Sequence, residues 1–224
     1  MKKLLCLALL GASVLGAVDI SGLEKACNKN DYKACDALGY LYASGEDVEQ
    51  DFKKANKLWI KACKGKDASS CFNIGLSYEQ GNGVKQDLKK ASEFYIKACD
   101  GGHTFACTNL GFIYFKGDGI KQDLGKAKEL YTKSCEKQDF TACGFLGFMY
   151  HSGIGVVKDI EKTKELWTKA CDNKDGKSCI ALAGLYGNGD GVERDIKKSI
   201  ELFKKACDYG EQIGCAYYKE FKKQ

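Results

Sequence analysis

Six pairs of cysteines set the terms on which this chain can fold. Cys27 and Cys35, Cys63 and Cys71, Cys99 and Cys107, Cys135 and Cys143, Cys171 and Cys179, and Cys207 and Cys215 are each eight residues apart, and each pair begins 36 residues after the last. A fixed period of that size marks a repeat array, in which each unit packs on its neighbours, and it overrides any estimate of domains from length.

Other positions keep the same register. Counting from the second cysteine of a pair, the third residue on is Leu38, Ile74, Leu110, Leu146 or Leu182. The fourth is Gly39, Gly75, Gly111 or Gly147, with Ala183 in the last copy, and the seventh is Tyr42, Tyr78, Tyr114, Tyr150 or Tyr186. That spacing is one face of an α-helix, here called helix A, and its small residue lets another helix come close. A glycine turn such as "QGNGVKQD" follows, giving a left-handed C-terminal cap and then an aspartate N-cap (Asp51, Asp87, Asp123, Asp159, Asp195). Helix B comes next, as in "DFKKANKLWIKAC", with Ala55, Leu58, Trp59 and Ala62 on its apolar stripe. The chain alternates A and B with no strand pattern and no proline. The first copy departs at Asp47, where the others have a second turn glycine.

The first residues, "MKKLLCLALLGASVLGA", read as an export signal: Lys2 and Lys3, then an apolar run from Leu4 to Leu15 too short to span a bilayer comfortably, then small residues. Removing it leaves twelve of the thirteen cysteines, and an even number in an exported chain argues for disulfides. Pairing within each eight-residue spacing is the simplest of the possible connectivities, since one solution serves all six copies. Each bridge would then join the end of a B helix to the next A helix and stabilise by about 2 to 3 kcal/mol in the loop-closure model. Zinc needs closer ligand spacing or more histidines than His103 and His151, so no metal and no other cofactor is expected. The net charge of +5 comes from lysines interleaved with acids, without a basic block, which argues against nucleic-acid binding.

The pattern Leu-Gly-x-x-Tyr, Gly-x-Gly-Val, Asp-x-x-Lys-Ala, as in "NIGLSYEQGNGVKQDLKKA", resembles the Sel-like repeat, a relative of the tetratricopeptide repeat. With paired cysteines, a 36-residue period and an export signal, the chain resembles the Helicobacter cysteine-rich protein family over essentially its whole mature length. The resemblance implies an all-α superhelical solenoid of helix hairpins with the A helices on the concave side. The expected organisation is a signal peptide over 1–17, a capping helix within 18–30, five repeats over 31–210 and a capping helix within 211–224.

The resemblance also implies a penicillin-binding protein with weak β-lactamase activity, acting on a β-lactam or a peptidoglycan-like small molecule. Against that, a serine β-lactamase needs Ser-x-x-Lys with two further elements. The chain has one such motif, Ser134 to Lys137, neither of the others, and Ser134 fills a small core-facing slot of helix B. The favoured expectation is a secreted or periplasmic monomer, without membrane insertion, that binds peptide or protein ligands of host or cell envelope. A second stripe on the A helices holds Tyr40, Phe72, Leu76, Phe112, Phe115, Phe148 and His151, and it is edged by Asn73, Asn109, Gln80 and Lys116. It would form one apolar groove with amides to bond a peptide backbone.

Peptide mapping without reductant is expected to recover Cys63 joined to Cys71 and no free thiol in the mature chain; any other partner for Cys63 breaks the local-pairing scheme.

Overall fold

A computed structural model describes residues 18–221. The expected signal peptide, over 1–17, lies outside the described residues. Twelve helices and no strand are found among the described residues. The A helices are α2 (Tyr32–Ser44), α4 (Ala68–Gln80), α6 (Thr104–Lys116), α8 (Phe140–Ser152) and α10 (Gly176–Asn188), closed by α12 (Gln212–Phe221). The B helices are α1 (Ile20–Asn28), α3 (Phe52–Lys64), α5 (Leu88–Asp100), α7 (Leu124–Glu136), α9 (Ile160–Asp172) and α11 (Ile196–Asp208). Extensive packing runs between neighbours in the chain, which is the connectivity of a solenoid.

The helix ends are written into the sequence. Asp51, Asp87, Asp123, Asp159 and Asp195 each accept the backbone N–H three residues on, satisfying one of the free donors of the B helix. The A helices end on Gly45, Gly81, Gly117, Gly153 and Gly189 in the left-handed region. The second turn position is left-handed too. Gly83 has φ 69°, and Asp47 fills the same place in the first copy at φ 63°, a conformation that short polar side chains tolerate better than most. His103 caps α6 through Nδ1, 3.3 Å from the Ala106 N–H, and burial holds its pKa below the ordinary value, in the neutral form that can accept.

Each A–B pair is built by pressing one aromatic ring of helix B onto the small residue of helix A. Trp59 meets Gly39, Tyr95 meets Gly75, Tyr131 meets Gly111 and Trp167 meets Gly147. A Cβ at Gly147 would lie 2.5 Å from Trp167 Cδ1, and Trp167 cannot easily give way, because its indole N–H donates to the Gly144 carbonyl at 3.1 Å. In the fifth pair the ring is Phe203, which shares a core cluster with Ala183, the one copy with a methyl at that position. All six bridges close within their own pair, with Cα atoms 4.4 to 4.8 Å apart. Lys61 then reaches back from α3 to donate to the Cys27 carbonyl at 2.7 Å, adding a polar tie across the same junction.

Replacing Gly147 by Ala is expected to lower the urea midpoint, because overpacking at about 1–3 kcal/mol outweighs the about 1 kcal/mol that alanine gains in a helix. An unchanged or raised midpoint would show that the ring does not press on α8.

Candidate functional site

A cleft of about 470 Å³ opens on the wall formed by α6, α8 and α10. Its sides are Phe112 and Phe115 from α6 and Phe145 and Phe148 from α8, with Tyr131 of α7 and Trp167 of α9 beneath them. The rings touch as pairs: Phe112 with Phe145 at 5.7 Å between centroids, Phe115 with Phe148 at 6.2 Å, Tyr131 with Phe145 at 5.2 Å. Phe112 stays 37% and Phe148 43% exposed, well above the ordinary level for residues lodged between helices. Gly144 and Ala181 keep the cleft open by lacking bulk, while Lys116 and Lys177 stand exposed at its rim. Asp175 also lines it, with one carboxylate oxygen accepting the Ser178 N–H at 2.7 Å as the cap of α10.

The stripe read from the sequence divides in two. Phe112, Phe115 and Phe148 meet in the cleft, and Lys116 lies at its edge. Phe72 instead stacks on His103 at 4.3 Å, and Leu76 packs against the core cluster around Tyr95. Tyr40 is 57% exposed on α2, outside the residues that line the cleft. His151 packs on Trp167 at 5.1 Å, with Nε2 3.5 Å from Asp190.

The amides are already engaged within the wall. Asn73 donates to Asp36 at 3.2 Å, Asn109 donates to the Tyr95 hydroxyl at 3.3 Å, and Gln80 accepts from Asn82 at 2.8 Å. Phe145, Tyr131 and Trp167 were not among the expected residues. The signal for Phe145 was legible: it occupies, in the fourth copy, the place held by Asn73 and Asn109 in the second and third.

Electrostatically the first half of the wall is a self-satisfied polar network. Asp36 accepts from the Ser70 hydroxyl at 2.7 Å as well as from Asn73. Burial nevertheless raises its carboxyl above the usual carboxylate range, with those two donors acting in the opposite direction. Burial likewise pushes the Tyr95 phenol upward, helped by the Glu79 carboxylate to which it donates, and burial raises the Tyr131 phenol.

Ser134 is completely buried on α7, and its hydroxyl donates to the Thr104 carbonyl at 3.3 Å. Lys137 caps the end of the same helix. Neither residue is among those that line the cleft. Among the described residues no group of three or more histidines, cysteines or carboxylates is placed to hold a metal ion, and no helix is long and apolar enough to cross a membrane.

The Sel1 repeat model matches residues 33–67, 68–103, 104–139, 141–175 and 176–210. The chain belongs to the Sel1 repeat family. A Sel1 repeat protein from Oxalobacter formigenes is 25% identical, with a TM-score of 0.80 over 91% of this chain and 87% of its own. A protective antigen of uropathogenic Escherichia coli is 26% identical, with a TM-score of 0.79 over 89% of this chain; the chain spans 43% of that protein's length. Cysteine-rich protein B of Helicobacter pylori is 29% identical over 58% of this chain and 99% of its own, with a TM-score of 0.46. No curated protein matches the chain. The Sel1 repeats here form a helical scaffold with six disulfides at the junctions.

The raised pKa of Asp36 has a definite sign. The folded chain holds that proton more tightly than the unfolded chain, so stability falls as pH rises above about 4, the ordinary aspartate range. Asp36→Asn, which keeps an oxygen for Ser70, is expected to flatten this slope in urea melts across acidic pH. A slope as steep as the parent's would show that Asp36 is not its source.

Proposed function

We propose that this chain is an exported, disulfide-stapled scaffold that captures peptide segments of partner proteins on its A-helix wall. The observation that carries this is the open aromatic cleft of Phe112, Phe115, Phe145 and Phe148, a concave and mainly apolar surface with Phe112 and Phe148 exposed in it. Apolar side chains of a peptide fit such a cleft, and the lysine rim suits acidic neighbours. Residues 1–17 serve as the leader, 18–30 and 211–224 as caps, and 31–210 as the repeats that build the wall. Six bridges among the described residues suit an oxidising compartment, periplasm or medium, in which the scaffold works as a monomer.

The test is selection of a displayed random-peptide library on the oxidised chain. Enriched clones are expected to bind Phe112→Ala/Phe148→Ala at least about tenfold more weakly, the loss of two buried aromatic contacts, while that variant keeps its helical spectrum. No enrichment, or clones that bind the variant equally, would overturn the reading.

A further inference from the structure

Three side-chain polar atoms among the described residues are buried without a partner, and one of them, the Tyr131 hydroxyl, belongs to a residue lining the cleft. Tyr131 is 1% exposed. The repeat register shows how it came to be unpaired. Tyr95 occupies the same place one repeat earlier, and its hydroxyl donates to Glu79 and accepts from Asn109. The residues that correspond to Glu79 and Asn109 around Tyr131 are Phe115 and Phe145. Both partners have been exchanged for phenyl rings, and those same two rings form sides of the cleft. A third exchange acts nearby. Ser70 donates to Asp36, whereas Ser178, its counterpart at the cleft, has Gly144 in place of that carboxylate.

A lone buried hydroxyl costs about 1–3 kcal/mol, so leaving one under an apolar cleft is an unfavourable arrangement for the chain on its own. A ligand removes the cost if it brings an apolar body past the rings and a hydroxyl or acceptor at its tip. The rim adds charge selection: Lys116 and Lys177 are exposed cations, and the nearby Asp175 already gives one oxygen to its helix cap.

We infer that the cleft takes a tyrosine side chain from an acidic peptide segment, the ring lying among Phe112, Phe145 and Phe148 and its hydroxyl pairing with that of Tyr131. This rests on the A-helix wall being a peptide-binding surface. Tyrosine matches on three counts: aromatic faces for stacking, a polar tip that can accept or donate, and a backbone that carries acidic neighbours to the lysines.

The experiment is calorimetric titration of the oxidised chain with three capped pentapeptides: a central tyrosine between glutamates and aspartates, the same with phenylalanine, and the tyrosine peptide with lysine flanks. The tyrosine peptide is expected to bind about five- to tenfold tighter than the phenylalanine peptide, the worth of one buried hydrogen bond. Lysine flanks are expected to abolish binding. Tyr131→Phe, which removes only an unpaired hydroxyl and should melt no lower than the parent, is expected to bring the tyrosine and phenylalanine peptides to equal affinity. Phe115→Glu with Phe145→Asn, which rebuilds the surroundings of Tyr95, is expected to lose the tyrosine preference as well.

Equal affinities for the two acidic peptides on the parent chain would overturn the inference, as would a tyrosine preference that survives Tyr131→Phe. If none of the three peptides binds while library clones still depend on Phe112 and Phe148, the tyrosine assignment fails and the peptide-binding wall stands. If no clone depends on them, both fail.

Discussion

Everything in this molecule hangs on the short covalent ring that closes each B-to-A turn. Most of the helices are only 13 residues long, below the length at which an isolated helix holds together in water. No hairpin has a core of its own; its apolar face is buried only when the next hairpin docks. The bridge sits at the point of docking, between the last turn of one helix and the first turn of the next, so it fixes the junction on which burial depends. The ring-on-glycine contact does the complementary job inside the first four A–B pairs, with Phe203 and Ala183 in one core cluster in the fifth. Together bridge and ring fasten the repeats, and the stack follows from repetition.

Most of the fold was legible in the sequence because its determinants are local. The cysteine spacing, the aspartate caps and the turn glycines are each fixed by neighbours a few residues away, and the small residue meets its ring within the same hairpin, as Gly39 meets Trp59. Even the exceptions make sense once seen: Asp47 takes the left-handed turn conformation, and Ala183 shares a core cluster with Phe203 where other copies set a glycine against tryptophan or tyrosine.

The candidate site was harder to read, because a side chain is free or engaged according to partners a whole repeat away. Asn73 looks like an available amide until Asp36, 37 residues earlier, is found accepting from it. Phe145 looks like one more packing residue until its counterpart Asn109 is seen bonding Tyr95. Helical spacing finds the face of a helix. It does not say which residues on that face are already spent.

The two halves of the wall therefore share a backbone and differ in chemistry. From α2 to α6, Asp36, Ser70, Asn73, Tyr95 and Asn109 pair among themselves. From α6 to α10, three exchanges at equivalent positions replace acid and amide by phenyl and hydrogen, and the wall opens into an aromatic cleft. Solenoids allow this because each repeat answers mainly to its neighbours, so a few side chains can be respecified without disturbing the stack.

The eight-residue reach of every bridge also bears on how such a chain matures. Both members of a pair lie within one short stretch of chain, far from the next pair. Each ring closes with no distant thiol to wait for, so a bridge forms without the rest of the stack in place.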